Sequence, residues 1–421
     1  MIKRFIVGVC LLFTAVAFSQ QNSSSPYSYY GIGDLKFKGT SESRAMGELG
    51  ILADSVHLNL KNPASYSSLM YTTFTIGGST SSTTFKTDDA ENESSRTTLD
   101  FIALAVPVSK KIAVAAGLMP YSTVGYRIQN TAVGGDDVER YTQFEGEGGI
   151  NRVFAGVSYK VTPEISFGVD AQYNFGTIET KSVVSLPSVP VQYPTRELNI
   201  ADYDGFSFNI GAMYQTKLNE KYDWITSATY TPSATLTSNV ERKLATITYT
   251  NRLTEIVVDE IDVLTISDDV KLPSKFTIGS GLGMKTKWFA GLEYTFQESN
   301  ELGNRFDDVT ATSFETSHKI SLGGYFTPKH RSYNSYFNRI TYRGGVKMEK
   351  TGLVINDESI NDYSLSLGMG LPLNYLSSTL NLGVELGKRG TTKANLIEEN
   401  YVNVFISLSL NDRWFVKRKY N

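Results

Sequence analysis

Apolar and polar residues alternate with a period of two along many segments of this chain. In Ile165–Gly176 every second residue is apolar, and the positions between them are Ser166, Gly168, Asp170, Gln172, Asn174 and Gly176. The same alternation recurs in Phe206–Tyr214, Ala290–Phe296, Leu380–Leu386 and Val402–Leu410. Successive side chains of a β-strand point to opposite faces. The pattern therefore predicts strands with one apolar face and one small or polar face.

The connections between these segments indicate how the strands are arranged. We expect strands near 71–86, 96–107, 112–129, 145–160, 164–180, 203–217, 222–236, 273–285, 288–299, 313–327, 336–350, 359–371, 378–388 and 402–415. Short links such as 108–111 alternate with long ones such as 130–144, 181–202 and 237–272. Short inner turns and long outer loops are typical of transmembrane β-barrels. The sequence thus predicts an all-β, transmembrane antiparallel barrel of about 14 strands over residues 71–415, with some strands projecting beyond the outer surface.

The first twenty residues have the pattern of an export signal. Lys3 and Arg4 precede an apolar run that ends at Phe18, and small or polar residues follow. This is the pattern of a secretory signal peptide, and the run is shorter than the roughly 20 residues of a membrane-spanning helix. We expect a signal peptide over 1–20, a location in the outer membrane of a diderm (Gram-negative) bacterium, and a basic periplasmic tail over 416–421.

Composition excludes several classes of function. Cys10 is the only cysteine and lies in the signal, so disulfides, thiolate metal sites and cysteine nucleophiles are excluded from the mature chain. Without the two basic residues of the signal, 38 basic residues face 43 acidic ones, a formal charge of −5 that is unlike a nucleic-acid binder. The histidines are His57, His318 and His330, and there is no G-x-S-x-G motif. We expect no enzyme activity, no metal and no cofactor.

Residues 26–70 do not alternate. They combine glycine-rich turns with short helix-like pieces, and the sequence Asn62, Pro63, Ala64 requires an extended or turning backbone, because proline disfavours helix at the residue before it. A barrel of this size encloses more space than its own side chains fill. We therefore expect residues 21–70 to form a hatch that plugs the lumen, which argues against an open, water-filled porin.

Two short motifs resemble the long-chain fatty-acid transporter (FadL-type) family of outer-membrane proteins. The first is R-A-M-G-x-x-G…A-D-S…N-P-A-S in Arg44–Ser65, which is similar to the family's hatch. The second is L-P-S-K-F-T-I-G in Leu272–Gly279, followed by the strand Trp288–Phe296. The strand number, the hatch and the position of the two longest loops agree with that family, so the chain is identified as a divergent member.

The resemblance implies passive transport of hydrophobic small molecules such as long-chain fatty acids. In that family the ligand is captured between outer loops, passes to a lumen pocket, and leaves sideways into the bilayer through a kink in the third strand. Pro120 lies in the predicted third strand, and an internal proline interrupts strand pairing, so it is our candidate for a lateral gate; a bulge sealed by its neighbours is the alternative. Among the inward-facing residues, Arg343 and Lys347 are candidates to bind a fatty carboxylate, unless they belong to an ion-pair network that fixes the hatch to the wall.

Two loops depart from the family pattern. The loop 181–202 contains Pro187, Pro190 and Pro194, which make it stiff, and the loop 237–272 alternates like a protruding hairpin. A hydrophobic capture groove is less assured with such loops. The alternative is a non-transporting barrel that acts as a scaffold or cargo-binding subunit of an outer-membrane protein secretion or assembly complex. The expected partners are accordingly outer-membrane lipid, a hydrophobic ligand or complex subunits.

Overall fold

The structure is a computed structural model of the chain. It describes residues 25–133, 138–189, 192–250, 252, 254–284, 286–302, 312–330, 332, 335–373 and 378–414. The expected signal peptide (1–20) and periplasmic tail (416–421) lie outside these residues. Within them, none of the helices is long and apolar enough to cross a membrane.

In the part of the chain that the structure describes, fourteen antiparallel strands form the wall. They are β1 Thr72–Lys86, β2 Glu91–Pro107, β3 Ile112–Val133, β4 Glu139–Lys160, β5 Ile165–Ser185, β6 Thr195–Lys217, β7 Asp223–Thr231 and Ala234–Tyr249, β8 Glu255–Leu272 and Lys275–Met284, β9 Trp288–Gln297, β10 Thr312–Phe314 and Ser317–Phe326, β11 Thr341–Ile355, β12 Glu358–Pro372, β13 Thr379–Arg389, and β14 Glu398–Asp412. Each strand pairs with its neighbour in sequence, and β14 pairs with β1 from Glu398↔Lys86 to Asp412↔Thr72. The barrel is closed, and the expected fold is confirmed.

The alternation of the sequence places apolar side chains outside the barrel. On β6, Phe206, Phe208 and Ile210 are exposed, whereas Ser207 and Asn209 between them are only 2% exposed. The outward apolar row of β6 ends at Phe206. Asp204 and Asp202 continue the same face as exposed residues, so the lipid-facing band ends near Phe206 and the rest of β6 projects beyond it.

The strands are longer at their outer ends than the sequence predicted. The expected loop 130–144 is strand up to Val133 and again from Glu139, and the expected loop 181–202 shrinks to 186–194. These predictions were wrong because alternation disappears where both faces of a strand meet water, although the strands still pair, as in Lys181↔Leu198. Stiffening by prolines is thus confined to a short link. The segment 237–272 is a hairpin, as expected.

Candidate functional site: the charged interior of the barrel

Residues 25–70, which we call the N-terminal segment, pack against the inward face of the wall. They contain the short helical turns Pro26–Tyr29, Ser41–Arg44 and Pro63–Ser68, and a two-residue strand, Asp34–Leu35. Apolar side chains of the segment share a buried cluster with inward residues of β6, β7 and β9: Met46, Leu49, Ile51, Ala64, Met213, Ile225 and Phe289. That the segment closes the lumen to solutes stays a prediction.

Glycines of the wall allow the R-A-M-G turn to approach closely. A Cβ atom at Gly345 would lie 2.2 Å from the carbonyl carbon of Met46, and one at Gly323 would lie 2.2 Å from the Met46 oxygen. Gly47 itself has a φ of 67°, in the left-handed region where glycine carries no steric penalty. The turn therefore fits only because three glycines, two on the wall and one in the segment, lack side chains.

The predicted hatch motif makes a similarly close contact with β6. The Asn62 side chain caps the Pro63–Ser68 turn by accepting a hydrogen bond from the Ala64 N–H (2.9 Å), and its amide donates to the Ala212 carbonyl of β6 (3.2 Å). A Cβ atom at Gly211 would lie 2.1 Å from Asn62 Oδ1. The backbone at Asn62 is extended, as the following proline requires.

Buried ion pairs connect the segment with strands all along the second half of the wall and with β5. Arg44 Nε lies 2.9 Å from Glu385 Oε2, and the Glu48 carboxylate lies 2.9 Å from Lys319 Nζ and 3.2 Å from Lys347 Nζ. Three further pairs join the same two parts: Lys61–Glu293, Lys38–Asp170 and Asp34–Arg389. Removing one partner of such a pair leaves a buried charge uncompensated, which typically costs about 3–5 kcal/mol. The pairs therefore hold the segment in one position.

The interior shifts the pKa values of the segment's own charged groups. Burial disfavours ionisation of Glu48, but Lys319 and Lys347 outweigh it and hold the pKa of this carboxyl well below its usual range. Burial lowers the pKa of Lys38 to about 8, although Asp170 opposes this effect. The segment thus carries a carboxylate that stays ionised and an ammonium whose charge depends on a nearby anion.

The two candidate ligand-binding residues are both buried and face inward. Lys347 Nζ lies 3.2 Å from Glu48, 2.9 Å from Asp362 and 3.9 Å from Glu385, and Arg343 Nη1 donates to Asn381 Oδ1 (3.0 Å). Lys347 is therefore part of an ion-pair network between segment and wall. A role of either residue in holding a ligand stays a prediction.

Pairing of β3 changes at Pro120. With β4 it continues through a bulge, because Pro120 pairs with Asn151 and Ser122 pairs with Ile150, leaving Tyr121 unpaired. With β2 it runs only from Pro107↔Ala113 to Ile102↔Leu118. Beyond Leu118, the described residues of β2 and β3 form no further pairs, and the Asp34–Leu35 strand pairs with β3 instead, at Thr123 and Ser122.

A cavity of about 300 Å³ lies at this gap between β2 and β3. Its lining includes Pro120 but also charged side chains of both the segment and the wall: Lys36, Arg44, Arg96 and Asp100. Sequence reasoning singled out Pro120 and missed these four. The segment has no period to orient Lys36 and Arg44, and a register shift between Leu99 and Phe101 interrupts the alternation of β2 at Asp100. No group of histidine, cysteine, aspartate and glutamate residues able to hold a metal occurs in the described part of the chain.

Comparison with known proteins gives a family and a set of similar folds. The BamG family model matches residues 1–421. The toluene transporter TbuX of Ralstonia pickettii has a similar structure, with a TM-score of 0.60, 15% identity, and coverage of 90% of this chain and 100% of that one. A Pseudomonas aeruginosa FadL homologue follows with a TM-score of 0.58, 11% identity, and coverage of 90% and 98%. The Pseudomonas putida toluene transporter TodX has a TM-score of 0.56, 16% identity, and coverage of 90% and 98%.

At such identities the likeness shows a FadL-like fold and nothing finer. The expected resemblance is therefore confirmed for the fold. A search of curated proteins gives no match.

Proposed function

The chain belongs to the BamG family, and we propose that it is a sealed outer-membrane barrel that binds partner proteins as a subunit of an outer-membrane protein secretion or assembly complex. Family membership lends support to this role. The observation that carries it is the part of the barrel that projects beyond the lipid-facing band, together with the apolar side chains that this part exposes to water.

The projecting wall is tall enough to serve as a docking surface. Residues 195–205 of β6, at roughly 3.3 Å each, extend about 35 Å along the strand past Phe206. The outer part of β7 pairs with them from Asp204↔Thr237 to Thr195↔Thr246, and β8 pairs with β7 in turn. The projection is thus a continuous sheet with fixed register, which suits binding of a folded partner.

Near the tip of this sheet, β8 exposes several branched apolar side chains. Ile256, Val258 and Ile261 are 48%, 53% and 58% exposed. Outside the lipid-facing band these side chains meet water, and clustered exposed apolar residues mark interaction sites. The neighbouring Asp259 and Asp262 are exposed as well, so the partner that fits is a protein with an apolar patch and basic residues around it.

The interior favours a sealed barrel over a conducting one. A passage through the lumen would require the ion pairs of Arg44, Glu48 and Lys61 to separate together, and each is costly to break. The cavities beside the segment are lined by charged groups such as Lys36 and Arg96. An interior held by buried ion pairs and lined by charged groups favours a rigid scaffold whose outer loops bind partner proteins.

Purification from native membranes tests this proposal. The full-length protein, tagged and extracted in a mild detergent, is expected to bring other outer-membrane proteins with it at a fixed ratio. The double variant Ile256→Asp/Val258→Asp is expected to lose them, whereas Val133→Asp, at an exposed apolar residue on the β3–β4 hairpin, should retain them. Recovery of the wild-type protein alone would contradict the proposal.

Passive transport of a hydrophobic small molecule is the second candidate, favoured by the break in pairing at Pro120. The similar folds belong to proteins named as toluene transporters, and the 300 Å³ cavity lies where a solute would leave between β2 and β3. In this candidate Pro120 opens the wall and Arg343 and Lys347 hold an acidic head group. Two results together would support transport: a hydrophobic compound is extracted from natively purified protein, and proteoliposomes that contain the protein take up that compound.

A further inference from the structure

A small cavity between the N-terminal segment and the wall is surrounded by cations. It has a volume of about 60 Å³, and its charged lining residues are Lys38, Lys61, Arg152, Lys275 and Lys319. The remaining lining consists of hydroxyl, amide and apolar side chains, and no described carboxylate is among them. A buried water needs roughly 10–15 Å³ of such space, so the cavity has room for about four waters, or for one small oxyanion with four oxygens.

Three of the five cations have a carboxylate partner outside the cavity lining. These pairs are Lys38–Asp170 at 3.6 Å, Lys319–Glu48 at 2.9 Å, and Lys61–Glu293. Each of these carboxylates offsets positive charge on its lysine, and Glu48 also contacts Lys347. These three side chains therefore contribute hydrogen-bond donors to the cavity but little net charge.

Lys275 and Arg152 are different. Within the part of the chain that the structure describes, neither has a carboxylate within 4.0 Å. Arg152 Nε donates to the Asn174 amide oxygen (2.7 Å), and its guanidinium lies 4.0 Å from the centre of the Tyr121 ring. Lys275 starts the inner piece of β8 and faces the lumen, since the next residue, Phe276, is exposed on the outside. Two cationic side chains thus face the cavity without a carboxylate in direct contact.

We propose that this cavity binds a divalent oxyanion of the phosphate class, either inorganic phosphate or the phosphomonoester head group of a lipid. Phosphate monoesters carry about −1.5 to −2 charges at pH 7, which matches the two cations that lack a carboxylate contact. Arginine and lysine are the side chains that proteins use for such groups. A fatty carboxylate matches less well, because it supplies only one charge. The inference is independent of the proposed function, since it concerns only the interior.

The binding test uses full-length protein purified in detergent without phosphate. Addition of inorganic phosphate is expected to raise the unfolding temperature and to give a saturable heat of binding, while sodium chloride at equal ionic strength does not. Mass spectrometry of lipid extracted from natively purified protein separates the two sources. A retained lipid phosphomonoester identifies a head group, and protein that lacks such a lipid but binds phosphate identifies the free ion.

The variant Lys275→Met distinguishes specific phosphate binding in this cavity from nonspecific attraction of phosphate to a positively charged protein. It removes one cation from a group of like charges, so without phosphate its unfolding temperature should equal or exceed that of the wild type. Its affinity for phosphate should fall about tenfold or more, as expected for loss of one charged hydrogen bond. Lys287→Met, in an exposed turn, should keep wild-type affinity. Absence of any specific effect of phosphate on the wild type, with no lipid phosphomonoester in the native extract, would overturn the proposal. Unchanged affinity in Lys275→Met would overturn it as well.

Discussion

The carboxylate of Glu48 lies 3.2 Å from the ammonium of Lys347, although the two residues are 299 positions apart. The contact joins the R-A-M-G turn to β11, and the second oxygen of Glu48 binds Lys319 on β10. One glutamate therefore ties the N-terminal segment to two adjacent strands of the wall.

We expect Glu48→Gln to loosen the segment while the barrel itself stays folded. The change removes one carboxylate from two buried ammonium groups, while Lys347 keeps Asp362 at 2.9 Å and Lys319 keeps Glu349 at 3.9 Å. The loss should therefore stay below the roughly 3–5 kcal/mol of a fully broken buried pair. Limited proteolysis should cut the segment faster, and planar-bilayer conductance should rise from a closed baseline. Glu91→Gln, at an exposed residue, should change neither.

The double variant Glu48→Gln/Lys319→Met is the matching test. It removes the Lys319 charge together with its nearest carboxylate and leaves Lys347 paired with Asp362 at 2.9 Å, so it should recover part of the lost protection. Wild-type protease resistance in Glu48→Gln would contradict the importance of this contact.

The glycines beneath the R-A-M-G turn allow a comparison at neighbouring positions. A methyl group at Gly345 would meet the Met46 and Gly47 backbone at 2.2 and 2.3 Å, whereas at Gly344 the nearest atom is 3.6 Å away. Gly345→Ala should therefore destabilise the packed segment by about 1–3 kcal/mol, the usual cost of overpacking, and Gly344→Ala should be nearly neutral. Thermal unfolding and protease sensitivity measure both, and equal effects of the two substitutions would refute the close packing.

The sequence alone could predict many of the charged residues of the interior, but only those that belong to the wall. Alternation assigned six charged residues to the inward face, because side-chain direction in a strand depends only on local geometry: Asp170, Glu293, Arg343, Lys347, Glu349 and Glu385. All of them are buried in the structure except Glu349, which is partly exposed. Their orientation therefore needed no knowledge of the rest of the fold.

The ion-pair partners of these residues could not be predicted from the sequence. Arg44, Glu48 and Lys61 belong to a segment without periodicity, and each pairs across more than two hundred positions. No local rule couples such distant residues. The sequence could therefore predict that the wall is charged inside, and the resemblance could suggest a hatch, but neither could predict which carboxylate meets which ammonium.

The gap at Pro120 illustrates the same limit. Proline indicated a break in β3, and the pairing with β4 does contain a bulge next to it. The larger change is the loss of pairing with β2 beyond Leu118, where the Asp34–Leu35 strand takes over one edge. The alternation of β2 and β3 does not indicate that β3 also pairs with the Asp34–Leu35 strand.

His57 gives the segment a dependence on pH. Its Nδ1 lies 2.5 Å from Asp54 Oδ2 and its Nε2 lies 3.2 Å from Thr379 Oγ1 on β13. Burial opposes protonation, but Asp54 outweighs it and raises the pKa of His57, while His57 helps to lower the pKa of Asp54 to about 2. Because the folded pKa of His57 is raised, its contribution to stability is complete below about pH 6.5, the ordinary value. It is lost as the pH rises through the folded pKa.

The unfolding temperature of the wild type should therefore fall as the pH rises from about 6.5 through the raised pKa of His57. His57→Gln should flatten this fall, and His330→Gln, at an exposed residue, should leave it unchanged. Asp54→Asn removes the main group that raises the pKa of His57 and leaves Glu42 to act against burial and Arg343. The fall in stability above about pH 6.5 should therefore disappear or reverse. If the unfolding temperature of Asp54→Asn falls with pH as steeply as that of the wild type, the ion pair between Asp54 and His57 does not control the pH dependence.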